Sequence, residues 1–289
     1  ALFSMKLLSQ REILKERRLA PKKWLGQNLL VNETYLARIV RASGIRSGES
    51  VVEIGAGLGA LTEALLKAGA NVVALEIDSG FFRVLQEKFA GNSMVEIIHG
   101  DALAHDFRAL ADRVGKLRVV ANLPYSISSR LLFRFVEMRD VIGSVHVLLQ
   151  REVARRLAAE AGSKDYGILT ALLGVTAQVD PLFDIPPHAF HPVPAVHSTF
   201  VRVVFPERLD LPVPDQDLLI RLVKAAFRAR RKTLRNNLLG SRWCAASDDA
   251  VERAAARCAI DLNRRAETLS PAEFARFAAE IAAGRDALP

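Results

Sequence analysis

Cysteine is nearly missing from this chain, with two among 289 residues, Cys244 and Cys258. Two thiols cannot build a disulfide scaffold or an all-cysteine zinc site, so both read as reduced, as suits a cytoplasmic protein. No apolar run approaches the roughly 18 residues of a membrane-spanning helix, which argues against a membrane partner. The opening apolar stretch is too short, and too soon followed by charge, for a secretory signal. Glu12 and Glu16 break the acid-poor composition of an organellar transit peptide. Internal repeats and low-complexity tracts are also missing.

What remains is a balanced globular composition, half hydrophobic and one quarter charged. That length suits one large domain and a smaller one. The formal net charge of +8 points to a polyanionic partner. Residues 1–25 carry Lys6, Arg11, Lys15, Arg17, Arg18, Lys22 and Lys23 against Glu12 and Glu16. A second cluster holds Arg228, Arg230, Arg231, Lys232 and Arg235. If helical, it sets Arg228, Arg231 or Lys232, and Arg235 along one face. One such cluster is equally well a solvated helix face, but two at opposite ends of the chain favour phosphate contacts.

From Asn32 onward the pattern is regular. Asn32 caps a helix bearing Tyr35, Leu36, Ile39 and Val40 on one face. Ser50–Ile54, Asn71–Glu76, Val95–His99, Leu117–Ala121 and Val145–Leu149 read as continuous apolar strands, with helices after several of them. Strands of that kind belong to a parallel sheet covered on both faces, a doubly wound α/β domain. Ligands in such folds bind beyond the carboxyl ends of the strands. After Gln150 the rhythm changes: Tyr166–Thr176 is expected to be helical, Gln178–Phe183 and Thr199–Phe205 to be strands, and Pro186–Pro194 to be a loop. Pro206–Pro214 reads as a linker and sets a domain boundary near Pro206. The Ala/Arg-rich remainder is helical in pattern, with Pro271 at the first position of the last helix.

Three features at the strand ends carry chemistry. Gly55-Ala56-Gly57-Leu58-Gly59 follows the first strand, and Glu76 ends the second. Glycines there let backbone approach a ligand closely, and the acid can hold both ribose hydroxyls. Alone this is ambiguous, because Gly55, Gly57, Ala60 and Glu76 also fit the pattern of an NAD-dependent oxidoreductase. Asp101, after the third strand, suits the exocyclic amine of a cofactor adenine. Asn122-Leu123-Pro124-Tyr125 ends the fourth strand, and a pyrophosphate cofactor does not explain it, whereas amino methylation does. An adenine amine is a poor nucleophile because its lone pair is delocalised into the ring. The Asn122 side-chain carbonyl and the Leu123 backbone carbonyl, set against its two hydrogens, favour a pyramidal nitrogen. Pro124 stiffens the turn that aims them, and Tyr125 offers a ring for a base that has left its helix.

These residues, with Gly26-Gln27-Asn28-Leu29-Leu30, Phe190–Ser198 and Phe227–Asn236, resemble the KsgA/RsmA-type 16S rRNA adenine dimethyltransferases over about residues 20 to 280. The resemblance implies a Rossmann-like class I methyltransferase domain at 21–206, preceded by a basic extension at 1–20 that is expected to lack fixed structure. It also implies a smaller all-helical RNA- and ribosome-docking domain at 207–289. S-adenosyl-L-methionine would be surrounded by Asn28, Leu30, Gly55, Gly57, Glu76, Ile77, Asp101, Ala102 and Asn122. Asn28 and Leu30 would lie over its methionine end, and Phe190 would face Tyr125 across the target base. Arg228, Arg230, Arg231, Lys232 and Arg235 would contact RNA. The family dimethylates two adjacent adenines near the 3′ end of 16S rRNA in a late small-subunit assembly intermediate, and a monomer is expected.

Rival readings are a macrolide-resistance-type 23S rRNA methyltransferase, the oxidoreductase and a non-catalytic assembly factor. Phe227–Asn236 favours the small-subunit enzyme over the first. The oxidoreductase leaves Asn122–Tyr125 unexplained, and the intact acceptor residues speak against a non-catalytic factor. His188, His191 and His197 match no zinc spacing, so no metal is expected. Ser126, Ser128 and Ser129 read as helix capping.

Overall fold

The computed structural model describes residues 9–22 and 25–285. In chain order its first elements are α1 (Gln10–Glu16), β1 (Leu29–Leu30), α2 (Glu33–Ser43), β2 (Ser50–Ile54), α3 (Ala60–Lys67), β3 (Asn71–Glu76), α4 (Ser79–Lys88), β4 (Val95–His99), α5 (Phe107–Val114) and β5 (Leu117–Asn122). Then come α6 (Ser128–Glu137), β6 (Ile142–Gln150), α7 (Arg151–Leu157), α8 (Ile168–Thr176), β7 (Gln178–Ile185), β8 (Phe190–His191) and β9 (Ser198–Val204). The last are α9 (Gln216–Ala226), α10 (Leu234–Leu238), α11 (Asp248–Arg257) and α12 (Pro271–Arg285). Lys6 and Lys23 of the amino-terminal basic segment lie outside the described residues.

The chain divides into two compact units. The first comprises Ala1–Arg134, Asp140–Ala154 and Asp180–Val203. Its centre is a seven-stranded, mostly parallel sheet in the order β4-β3-β2-β5-β6-β9-β7. Val51, Val119, Val120, Val145 and Leu148 are fully buried, which explains why these strands read as unbroken apolar runs. Strand order runs outward from β2 through β3 to β4, then resumes on the other side with β5 and β6. The carboxyl ends of β2 and β5 therefore flank the switch point where ligands bind in such sheets. Register keeps those ends level, with Ile54 opposite both Leu75 and Ala121, and Glu76 opposite His99. A separate two-stranded sheet pairs β1 antiparallel to β8, with Leu30 opposite Phe190. Pro186–Pro194 is thus not wholly loop: a 3-10 turn over Pro187–Ala189 leads into β8.

The amino-terminal segment includes α1, where Ser9 and Glu12 form a reciprocal capping box. Leu14 and Leu19 pack with Phe81 and Leu58, giving this helix an apolar anchor.

The second unit, Phe135–Arg139, Arg155–Val179 and Val204–Pro289, is dominated by helices α8 to α12. Helix α12 packs on α8, α9 and α11, burying Phe274, Phe277 and Ile281. Pro271 takes the first helical position, where its missing N–H costs nothing. Gly174 of α8 lets Pro271 come so close that an added Cβ would sit 2.6 Å from Pro271 Cγ. Gly174→Ala should therefore destabilise this unit by about 1–3 kcal/mol, the usual cost of overpacking, measured by denaturant unfolding.

The basic cluster is not one helical face. Helix α9 stops at Ala226, and Arg228 to Lys232 occupy the turn before α10. The Asn237 side chain donates to the carbonyls of Ala226 (2.6 Å) and Ala229 (3.2 Å), and Thr233 caps α10, so the backbone bonds that would continue α9 are taken elsewhere.

Candidate active site

A cavity of about 380 Å³ opens at the carboxyl ends of β2 to β5. Its floor is the glycine turn after β2. The amide of Gly55 donates to Leu75 O at 2.8 Å, binding the turn to β3. Gly57 has φ +61°, and a Cβ there would lie 2.7 Å from Leu29 Cδ2. The positive φ is what calls for glycine there. Glu76, buried at the end of β3, accepts from Gly57 N (2.7 Å) on one carboxylate oxygen and from Asp78 N (2.8 Å) on the other. Burial pushes its carboxyl above the usual range, while those amide donors pull it down.

Asn28, Gly55, Gly57, Glu76 and Ile77 all line this cavity, as do Asp101, Ala102, Asn122, Leu123, Pro124 and Tyr125. Ile77 is 44% exposed, an uncovered apolar surface inside a ligand-sized space. Asp101 bends the next loop by accepting from Leu103 N at 2.8 Å. Arg134 of α6 props that loop, donating to the carbonyls of Ala102 (2.8 Å) and His105 (2.5 Å).

The Asn122 amide nitrogen donates to Asn28 O at 2.7 Å. This bond fixes the carboxamide, and among the described residues no hydrogen bond is made to its Oδ1. Leu123 is buried and lines the same cavity. The Tyr125 hydroxyl and Ser198 Oγ share a hydrogen bond of 2.7 Å, and Ser128 Oγ donates to Tyr125 O at 3.1 Å. Burial pushes the Tyr125 phenol upward and Ser198 opposes the shift, so the ring stays neutral at physiological pH.

Two sequence-derived residues lie elsewhere. Leu30 faces a separate space of about 30 Å³ with Glu53 and Asn122 among its walls. Phe190 lines no part of the larger cavity and is fully buried, in one apolar cluster with Leu30, Ala56 and Phe200. The β1–β8 pairing explains this burial, because it ties Phe190 to Leu30 in the core. The sequence offers no reading of wall residues Leu25, Phe81 and Arg130, and it gives Gly26 and Gln27 a place in a motif but no role. Gln27 had a signal, since it lies beside Asn28 in the motif, whereas Arg130 sits on α6 with none.

Beneath the glycine turn, Glu53 of β2 accepts from Thr62 Oγ1 at 2.5 Å. Burial pushes this carboxyl up to about 8. The unfolded chain releases that proton near the ordinary 4.5, so the folded state should lose stability as pH rises from about 4.5 to about 8, and no further above it. Glu53→Gln should remove the loss. Its advantage in thermal unfolding over the parent chain should widen across that window and then stay level.

The basic cluster divides sharply. Arg230 pairs with Glu267 at 3.0 Å, Arg235 with Glu252 at 2.5 Å, and Arg228 donates to Asn236 O at 3.3 Å. Arg231 and Lys232 are exposed and, among the described residues, form no ion pair. No group of three or more His, Cys, Asp or Glu among the described residues is placed to hold a metal ion. Nor is any described helix long and apolar enough to cross a membrane.

Comparison with known proteins bears on this geometry. The model of the family described as ribosomal RNA adenine dimethylase matches residues 19–283. Ribosomal RNA small subunit methyltransferase A of Geobacter metallireducens is 43% identical over 256 residues, covering 88% of this chain and 93% of that protein. Its counterpart in Pseudomonas putida is 41% identical over 261 residues, covering 90% and 95%. Among solved structures, a dimethyladenosine transferase from Plasmodium falciparum superposes with a TM-score of 0.71 at 24% identity, covering 89% of this chain and 98% of that one. The 23S rRNA methyltransferase ErmE gives 0.63 at 22%, covering 88% and 99%. At those identities the two structures attest to the fold alone.

Proposed function

Because this chain belongs to the ribosomal RNA adenine dimethylase family, we propose that it transfers methyl groups from S-adenosyl-L-methionine to the exocyclic amines of two adjacent adenines near the 3′ end of 16S rRNA. The fixed Asn122 carboxamide carries the proposal: its nitrogen is tied to Asn28 O and the residue lines the cavity with Tyr125, which leaves its oxygen to serve as the acceptor.

The cavity suits the cofactor. Glu76 would hold the ribose hydroxyls, the backbone of Gly55 and Gly57 lines the space beside it, and Ile77 and Ala102 offer apolar surface to an adenine whose amine Asp101 would accept. Asn28 would lie at the methionine end. When bound, S-adenosyl-L-methionine supplies an electrophilic methyl carbon on a sulfonium. The protein's part is then positioning. Asn122 Oδ1 and Leu123 O accept from the target amine and orient its lone pair, Pro124 stiffens the turn, and Tyr125 stacks the base. Positioning of this kind is worth about 7–11 kcal/mol in favourable cases. No strong base is needed, because the amine proton becomes acidic only after methyl transfer. Phe190 would act from the core, holding the Leu30 strand behind Asn28 rather than touching the base.

The helical unit would dock on RNA within a late small-subunit assembly intermediate, with the enzyme a cytoplasmic monomer. Phosphate contacts would fall chiefly to Arg231 and Lys232. Replacing both with alanine should reduce the slope of log affinity against log salt by about 1.4–1.8, two phosphates' worth. Replacing Arg230 should cost mainly stability. An unchanged slope on subunit binding would mean that the turn is merely solvated. The substrate assignment is tested by incubating the chain with labelled cofactor and unmethylated subunits of both sizes and mapping the label by primer extension. Label near the 3′ end of 16S rRNA is expected, and label confined to 23S rRNA would overturn the assignment.

A further inference from the structure

Val193 and Val196 are 61% and 42% exposed, two of the four large hydrophobic side chains left open among the described residues. Both belong to Pro192-Val193-Pro194-Ala195-Val196, a stretch without a polar side chain. Exposed apolar pairs are informative where a surface loop has every opportunity to be polar.

The loop is held at both ends against the methylation site. Before it, His191 and Phe190 pair with Leu29 and Leu30, next to Asn28, whose carbonyl takes the Asn122 amide. After it, Ser198 shares the 2.7 Å hydrogen bond with the Tyr125 hydroxyl, and His197 O accepts from Arg151 N at 3.0 Å. Two prolines fix φ within the stretch and remove backbone donors, so little freedom is left to lose on contact.

An adenine drawn into the cavity leaves a gap in the RNA stack, with the faces of the flanking bases exposed. Apolar side chains inserted between base steps are the known physical answer to such a gap. We infer that Val193, together with Val196, is an apolar wedge that packs against the unstacked bases flanking the target adenine; this rests on the reading of the site as an RNA adenine methyltransferase. The partner is RNA bases, recognised by their faces and not their edges, so the loop contributes to unstacking and not to sequence choice.

The test uses the full chain and unmethylated small subunits. Val193→Thr keeps the shape and makes the surface polar. Its affinity for S-adenosylhomocysteine and its melting temperature should match those of the parent, while single-turnover transfer falls about tenfold, in line with bringing one unpaired hydroxyl into an apolar contact. Val193→Leu should recover the rate that threonine loses. A photoreactive p-benzoylphenylalanine in place of Val193 should crosslink to nucleotides beside the target adenines. A threonine variant as fast as the parent, one that loses cofactor affinity, or crosslinks to ribosomal protein instead of RNA would each overturn the wedge. Parent protein that methylates no subunit at all would instead bring down the enzymatic reading, and the wedge with it.

Discussion

Asn122→Ala should slow single-turnover methyl transfer by about a hundredfold to a thousandfold, the range seen when one preorganised hydrogen-bonding group aimed at a reacting centre is removed. Affinity for S-adenosylhomocysteine should change little, since Asn122 brings only a neutral amide to the cavity and Glu76 with the Gly57 turn remains. The contrast between the two readouts is the point. A residue that only supported the fold would lower both together, through the lost tie to Asn28 O. Asn122→Asp separates the roles further. It keeps an acceptor but loses the donor to Asn28, so it should retain more of the rate than alanine and bind RNA no better. Equal transfer by parent and alanine variant, measured with saturating cofactor, would end the acceptor account.

Glu76→Ala should weaken S-adenosylhomocysteine binding by about a hundredfold to a thousandfold, measured by calorimetry. Two effects combine. The carboxylate would supply hydrogen bonds to both ribose hydroxyls, and bonds to a charged acceptor are worth about 1.5–3 kcal/mol each. Its removal also strips the Gly57 and Asp78 amides of their acceptor, so the glycine turn keeps only its backbone bonds to Leu75 as ties to β3. Glu76→Gln retains one carbonyl and should fall between the two. Here rate at saturating cofactor should recover most of its parent value, the reverse of the Asn122 pattern. Undiminished binding would move the ribose away from Glu76.

The parts of this fold legible in the sequence are those dictated by local chemistry. Strands β2 and β3 have the same bounds in sequence and structure because their residues are buried and largely apolar, and β4, half-buried at the sheet edge, keeps Val95, Ile97 and Ile98 as its signal. Helix α2 begins where Asn32 can accept from Tyr35 N, a bond between near neighbours. Helix α5 went unread although its signals were present: Asp106 caps it, Phe107 and Leu110 form its buried stripe, and Gly115 ends it. Strands β1 and β8 had no signal, since two residues cannot show a period and their pairing joins positions 160 apart in the chain, as Leu30 and Phe190 are.

The site divides in the same way. The glycine turn, Glu76, Asp101 and Asn122 to Tyr125 were legible because each ends a strand of one parallel sheet, and topology brings such ends together. The direction of the Phe190 ring was not legible, being set by that distant pairing. Neither was the pairing of Arg230 and Arg235 with acids in later segments, which separates them from the free charges of Arg231 and Lys232.

The central claim is that the exocyclic nitrogen of adenine, and no ring atom, receives the methyl group. Mass spectrometry of nucleosides from 16S rRNA, after incubation of unmethylated small subunits with the chain and S-adenosyl-L-methionine, reads that atom directly. N6,N6-dimethyladenosine is the predicted product. Methylation at a ring position, such as 1-methyladenosine or 2-methyladenosine, would contradict an active site built around two acceptors for an amine.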